Sequence, residues 1–434
     1  MNKRISRVAS ILAIGALAGS LVAGCAAPAQ EEAEADGPVI LRYWSWAPNI
    51  GKIVDVWNAQ NPDIQVEVNT STGSNDIVAK LSAAKEAGTL PDLSNTSYEN
   101  LPNLVVNGIA ADITDAFGDY EDKITPAAWN LTTFDGKNFA VPQGTGPQFL
   151  FYRTDIFDAA GLEAPTTWEE YADAARVIHA ADPTKYLATF PANDAQLFGA
   201  LSQQAGAEWW SQSGDEWTVD IDGDASDKVA EYWNGLVDEG VVATFKTFTP
   251  EWAAALADGT IASWLSAVWA PPLINQNAPD TAGLWAAVRI PQWEPNEAVS
   301  GVVGGSGTVV TTGTKYPEQA REFAIWLNNS PDALNAYIEN ASIWPANLEG
   351  RELPALAAAA PVALKDPSGY YQLAAEIDEE TVEVTFGPDV ALAYSAFGDA
   401  FSEAVSSGTP FTDALTKVQT AVVDDMTKLG YKVN

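Results

Sequence analysis

Between Val39 and Ser97 the hydrophobic period of the chain switches repeatedly between that of a strand and that of a helix, and this restricts the fold more than any other feature. Val39-Ile40-Leu41-Arg42-Tyr43-Trp44 is an apolar run of strand length. Ile50, Ile53, Val54 and Trp57 then keep the i, i+3, i+4, i+7 spacing of one helix face. Asn61-Pro62 ends that helix, because proline brings no N–H to the ladder. Ile64-Gln65-Val66-Glu67-Val68 alternates with period two, as a strand does. A second helix is expected over 76–87, with Gly88 just past its end, and Pro91-Asp92-Leu93-Ser94 opens a third strand. Strand, helix, strand, helix, strand implies parallel pairing through right-handed crossovers. Open sheets of this kind hold ligands outside the carboxyl ends of their strands. That places Trp44-Ser45-Trp46 and Asn95-Thr96-Ser97-Tyr98 on one rim.

Further on, loops lead to strand-like segments at 136–142 and 148–153. Thr167 and Glu170 stand at capping-box spacing ahead of a helix. Helical patterns dominate from there to about residue 277, and a Gly/Val-rich strand is expected over 301–312. Pro317 starts a helix with Ala320, Phe323, Ala324 and Leu327 on one face, and two more helices are expected over 390–406 and 412–429.

The beginning of the chain reads as an address. Lys3, Arg4 and Arg7 precede an uncharged apolar stretch from Val8 to Gly24, the pattern of a signal peptide over residues 1–24. It ends Leu21-Val22-Ala23-Gly24-Cys25, which resembles a bacterial lipobox. Cys25 is the only cysteine, and its thiol is the expected site of a diacylglycerol that anchors the chain to the membrane. Residues 25–38, with Glu31-Glu32-Ala33-Glu34-Ala35-Asp36, have no hydrophobic period and read as a flexible tether.

Composition narrows the function. Lys and Arg number 22 against 58 Asp and Glu, a net charge of −36. Loss of residues 1–24 would leave 19 cations and a net charge of −39. A nucleic-acid groove needs clustered cations, and none is found. One Cys and one His, His179, exclude a disulfide, a His/Cys zinc site and a Cys–His nucleophile pair, and His179 reads as a helix-end residue. Asp220-Ile221-Asp222-Gly223-Asp224 with Glu231 imitates a calcium loop but has Ala225 where the turn needs glycine. It reads instead as a strand end followed by Asp224 capping a helix. Gly304-Gly305-Ser306-Gly307 lacks the lysine of a phosphate loop. No metal or cofactor is expected, and no nucleophile elbow points to an enzyme.

The order of these segments resembles the carbohydrate-binding group of the extracellular solute-binding proteins of ABC importers. The carrying residues are Leu41–Trp46, Asn61–Val68, Gly88-Thr89-Leu90-Pro91-Asp92, 136–142 and Phe151–Phe157 with Gly161-Leu162. Pro165–Glu170, 301–307, 317–327 and Trp344-Pro345-Ala346-Asn347 complete the series, which runs from Val39 to the C-terminus. The sequence departs from the family at Phe151-Tyr152-Arg153, where a Tyr-Tyr-Asn-like run is frequent.

The resemblance implies a periplasmic-binding-protein-like fold: two α/β lobes, each a mostly parallel sheet flanked by helices, joined by a hinge that the chain crosses several times. Residues 39–146 with about 303–342 would form the N-terminal lobe, and 147–302 with about 343–434 the C-terminal one. The crossings fall near Gly144-Thr145-Gly146-Pro147, Gly301-Val302-Val303 and Ser342-Ile343-Trp344. Glycine suits a hinge because it accepts large dihedral changes. The solute would be a carbohydrate, a di- or oligosaccharide, taken by hinge closure and passed by a monomer to the permease subunits. Sugars stack their C–H faces on aromatic rings and pair their hydroxyls with amide and hydroxyl groups. Trp44, Trp46, Asn95 and Tyr98 are expected on one rim, with Trp269 and Ser266 facing them. Trp344, Gly305 and Ser306 would line the hinge floor, with Gln148 reaching in from the crossover strand. Trp57, Trp168, Trp252 and Trp326 lie on helix faces and are expected in the core. A polyol or other small polar solute, and a surface glycan-active enzyme, remain the alternative readings.

Overall fold

A computed structural model describes residues 37–434 except 71–75 and 215. The expected leader, Cys25 and nearly all of the tether lie outside the described residues.

The expected βαβαβ unit is present. Strand Val39–Trp44 runs between Ile64–Asn69 and Leu93–Ser97, parallel to both. Helix Ile50–Gln60 buries Ile50, Ile53, Val54 and Trp57, the four residues that its spacing selects. Ile77–Glu86 makes the second crossover and buries Ile77, Leu81 and Ala84. Two more strands complete a five-stranded mixed sheet. Ser306–Val310 pairs antiparallel with both Leu93–Ser97 and Val141–Gly144. It is shorter than expected, because 301–305 leave the ladder, with Gly304 at φ 80° and Gly305 at φ 89°. Helix Pro317–Asn329 covers this sheet and buries Ala320, Phe323, Ala324 and Leu327.

The second sheet corrects an expectation. Gln148–Arg153 is flanked by Ser263–Ala267 and Trp285–Arg289, and both pairings are antiparallel. The resemblance had implied a mostly parallel sheet in this lobe, and the pairing overturns it; periodicity could not correct it, because it reports which faces are buried, not strand direction. Ser263–Ala267 is fully buried and lies inside a stretch that reads as helical, since a short apolar run has no periodicity to separate the two. In Gln148–Arg153 alternate residues serve two clusters: Phe149 and Phe151 pack with Trp252 and Tyr370, while Leu150 joins the larger core. Both faces are covered, which explains its unbroken apolar run. A hairpin, Trp210–Ser213 with Glu216–Val219, is joined in parallel by Lys432–Val433.

Helix Trp168–Ala181 begins with the expected capping box: Thr167 Oγ1 accepts from Glu170 N, and the Glu170 carboxylate accepts from Thr167 N. Val390–Ser407 and Phe411–Lys428 pack together and reach Ala195–Gln204 and Asp224–Asp238. Phe190, Phe198, Phe397, Phe401 and Phe411 interlock at their centre, where full burial of each ring contributes roughly 1.5–3 kcal/mol. The calcium-like loop ends at Gly223, which is the N-cap, and Asp224 is the first helical residue, not the cap. Burial and the neighbouring Asp222, Glu231 and Asp224 push the Asp227 carboxyl up, and no metal-binding cluster occurs among the described residues. His179 lies in the last turn of helix Trp168–Ala181, with Nδ1 2.9 Å from the Lys185 carbonyl oxygen. No described helix is long and apolar enough to cross a membrane.

The body is a two-lobe α/β fold with one main sheet at the centre of each part. The chain passes from the first sheet to the second between Gly144 and Gln148 and returns between Arg289 and Ser306.

Candidate functional site

Strand Leu93–Ser97 is completely buried, although four of its five residues are polar. A buried polar group left unpaired costs roughly 1–3 kcal/mol, so a central strand of this composition needs a reason. Asn95 Nδ2 donates to Gln143 Oε1 and to the Gly307 carbonyl, both at 3.2 Å, and Asn95 Oδ1 has no partner within the protein. Gln143 Oε1 also accepts from Ser306 Oγ at 2.8 Å, and Gln143 Nε2 has no partner. The Tyr98 hydroxyl, at the end of the same strand, is buried and unpartnered too. Its burial, and then the charge of Asp378, push its pKa up. From the second sheet Gln148 Oε1 accepts from Gly301 N at 2.8 Å and Ser300 Oγ at 3.2 Å, while Gln148 Nε2 and Ser266 Oγ stay free. Each of the two main sheets therefore carries buried donors and acceptors that the protein does not use.

Close backbone approach builds the floor. At Gly305 a Cβ would lie 2.6 Å from Tyr98 Cε2, and at Gly304 it would lie 3.2 Å from Trp269 Nε1. Residues 304–305 thus sit between Tyr98 and a half-buried Trp269, which meets Trp264 edge-on at 5.9 Å. At Gly146 a Cβ would come within 1.8 Å of the Val303 carbonyl oxygen, so the two connections between the sheets are packed against each other. Neither Gly144 nor Gly146 has a positive φ. Their role here is space for a neighbouring backbone, where the sequence suggested freedom of dihedral.

The other tryptophans differ from expectation. Trp344 is 3% exposed; Tyr371 lies parallel to it at 5.9 Å, and the Arg351 guanidinium lies over its ring at 4.6 Å. The protein uses the ring as packing, and its Nε1 is buried without a partner. Trp44 and Trp46 are half-buried against the Ile77–Leu81 cluster, and no ring contact joins them to Trp269 or Trp344 among the described residues.

An ion pair that the sequence did not reveal stands behind Trp344. Arg351 Nη2 lies 2.7 Å from Asp378 Oδ2, with side chains 13% and 8% exposed. Arg351 also donates to the Pro345 carbonyl at 2.8 Å, and Thr145 Oγ1 donates to Asp378 Oδ1 at 2.7 Å. The group ties the first crossing to segments more than two hundred residues later, a separation at which no local pattern could have shown it.

Beside this floor opens a cavity of about 360 Å³. Small-molecule sites run to roughly 300–1,000 Å³. Trp209, Trp210, Phe386 and Tyr394 form its aromatic walls, with Asn130 and Gln203 as amides and Glu208 and Glu383 as acids. Gln203 Oε1 accepts from Val302 N at 2.9 Å, which joins the cavity to the segment leading into Gly304. Trp209 Nε1 is spent on Ser226 Oγ at 2.9 Å, but Trp210 Nε1 is buried without a partner. The adjacent Trp209-Trp210 pair was the one local hint; Phe386 lies outside any regular element. A separate cavity of about 20 Å³ among Phe190, Leu197 and Trp233 is apolar and too small for a solute.

A two-lobe α/β body with unspent polar groups and aromatic walls is the architecture of a solute receptor. Residues 52–363 match the bacterial extracellular solute-binding protein family, and the chain belongs to that family. It is 25% identical over 326 residues to the arabinooligosaccharide-binding protein of Halalkalibacterium halodurans, covering 71% of this chain and 70% of that one. It is 25% identical over 389 residues to the diacetylchitobiose binding protein of Streptomyces coelicolor, covering 81% and 86%. An ABC-transporter-associated binding protein from B. animalis subsp. lactis, solved with β-1,6-galactobiose, superposes with a TM-score of 0.84 at 25% identity, covering 92% of this chain and all of that one. The galacto-N-biose/lacto-N-biose I-binding protein of Bifidobacterium longum, solved with lacto-N-biose, gives 0.82 at 26% with the same coverage.

Proposed function

We propose that this protein is a lipid-anchored receptor that captures a di- or oligosaccharide by closing two lobes over it and delivers it to the permease of an ABC importer. One observation carries the carbohydrate assignment. Asn95 Oδ1, Gln143 Nε2, Tyr98 OH, Gln148 Nε2, Ser266 Oγ and Trp344 Nε1 are all buried with no partner in the protein. They are neutral amide, hydroxyl and indole groups, the kind that pair with sugar hydroxyls. Trp269, half-buried beside Gly304, supplies a face for a sugar ring. Relatives and structural neighbours that bind arabinooligosaccharides, diacetylchitobiose and β-1,6-galactobiose support the same class of ligand. Residues 39–146 with about 303–342 move as one lobe in this reading, and 147–302 with about 343–434 as the other. Cys25 carries the lipid.

A thermal-shift panel tests the ligand class. β-1,6-Galactobiose, lactose, arabinotriose and N,N′-diacetylchitobiose would be compared with polyols and amino acids. A ligand at 100 times its Kd stabilises the native state by about 2.7 kcal/mol. At least one oligosaccharide is expected to raise the Tm without being turned over. A shift with polyols alone would overturn the carbohydrate reading, and release of monosaccharide would favour a glycan-active enzyme.

A further inference from the structure

Glu99 lies in the turn Tyr98–Asn100, directly after the buried polar strand, and is 6% exposed. Its Oε1 accepts from Gln196 Nε2 at 2.8 Å. Gln196 belongs to helix Ala195–Gln204, which packs with Asp224–Asp238 and Val390–Ser407, away from the five-stranded sheet. This bond therefore spans the seam between the two parts of the fold. Four residues on, Asn103 Nδ2 donates across the same seam to the Pro388 carbonyl at 3.1 Å. That second bond is between neutral groups, so Glu99 is the member of the pair that can carry charge.

What faces Glu99 does not compensate a charge. Tyr394 approaches from helix Val390–Ser407, and the same ring is also influenced by Asp194, at the head of helix Ala195–Gln204. Asp194 is itself a buried carboxyl whose oxygens cap that helix through Leu197 N and accept from Thr247. Helices Leu101–Val106 and Pro126–Thr132, which also pack on this turn, contain no ionisable side chain. Among the described residues no ion pair joins a lysine or arginine to Glu99. Burial is the dominant influence and pushes its carboxyl from 4.5 up to about 7, against hydrogen bonds from its own N–H, Ser97 and Gln196 that pull the other way.

We propose that Glu99 is a proton-linked latch: shutting the cleft brings its carboxyl against Gln196 and takes one proton from solvent, so solute is held more tightly in mildly acidic surroundings than in alkaline ones. The inference rests on the reading that the cleft opens and shuts. When it opens, the carboxyl regains water and returns the proton. The direction follows from the shift. Between the ordinary carboxyl value and about 7, the open form is ionised and the shut form is protonated, so each unit of rising pH weakens binding by up to about tenfold. Above that range both forms are ionised and the weakening levels off, at a total on the order of 100-fold. Below it both are protonated and binding is again constant.

Calorimetry of the full chain at pH 6, in two buffers of different ionisation enthalpy, reads the proton directly. The probes are β-1,6-galactobiose, lactose, arabinotriose and N,N′-diacetylchitobiose. A sugar that binds should take up close to one proton, and its Kd should rise from pH 5 to pH 7. Glu99→Gln imitates the protonated form; it should abolish the uptake and keep the acid-side Kd at every pH. Gln196→Ala removes the partner of the latch and the donor that helps the ionised carboxyl, and should weaken binding at both pH values, more at pH 8 than at pH 5. Binding by the wild type with no proton uptake and a flat Kd overturns the latch. If no sugar binds at any pH, the carbohydrate reading fails, and the latch is read from small-angle scattering of the ligand-free chain. Its radius of gyration should be larger at pH 8 than at pH 5 in the wild type and constant in Glu99→Gln; equal radii in the wild type overturn the latch.

Discussion

Replacing Asp378 with Ala should destabilise the protein far more than loss of a surface ion pair. Asp378 and Arg351 approach to 2.7 Å with side chains 8% and 13% exposed, so neither charge can turn to water when its partner is removed. The variant leaves the Arg351 guanidinium with the Pro345 carbonyl and Thr145 Oγ1 as neutral acceptors, and leaves the Thr145 hydroxyl without its own acceptor. Stranding one member of a buried pair costs about 3–5 kcal/mol. An exposed pair is worth about 0–1 kcal/mol, so the two cases are well separated. Arg351 lies over Trp344, and a Met at 351 can keep much of that apolar contact. The double variant Arg351→Met with Asp378→Leu removes both charges together, and should recover most of the stability lost by Asp378→Ala alone. Urea unfolding of the ligand-free chain, followed by tryptophan fluorescence and far-UV circular dichroism, provides the comparison, and the two signals must coincide before a free energy is extracted. A loss below about 1 kcal/mol in Asp378→Ala, or a double variant as unstable as the single one, would refute the argument that this pair is held out of water.

Trp269→Ala should weaken sugar binding by about 2–4 kcal/mol, roughly 30-fold to 1,000-fold, in a protein that still folds; unchanged affinity by calorimetry would put the site elsewhere. Trp344→Phe keeps a ring beside Tyr371 but loses the indole N–H and part of the buried ring, so affinity should fall by about 1 kcal/mol and the urea midpoint should fall as well, while a stability loss without an affinity loss would make the residue purely structural. Gly146→Ala drives a Cβ to 1.8 Å from the Val303 carbonyl oxygen and should lower the Tm by several degrees; a Tm equal to wild type would show that the crossings are not packed so closely. Cys25→Ala should release the protein from the membrane of its host, and unchanged retention on fractionation would exclude the lipid anchor.

Helix Ile50–Gln60, the capping box at Thr167 and the helices near residues 390 and 411 were legible in the sequence, because each depends on residues only three or four apart. The signal-peptide pattern is likewise a reading of linear sequence, and it lies outside the described residues. Leu93–Ser97 was legible as a strand, and a run of Ser, Asn and Thr in a central strand is a signal in its own right, since such side chains are buried only where something pairs with them. Strand direction in the second sheet was not legible, because burial pattern does not encode it. Nor was the use made of each tryptophan. Trp269 and Trp344 look alike in sequence, and only packing against Gly304 in one case and between Tyr371 and Arg351 in the other separates a half-open ring from a structural one. The Arg351–Asp378 pair, the Glu99–Gln196 contact and the Trp210–Phe386 wall join residues far apart in the chain. Local order is written in local spacing, but which polar atoms are buried without a partner is decided only when distant segments close around them.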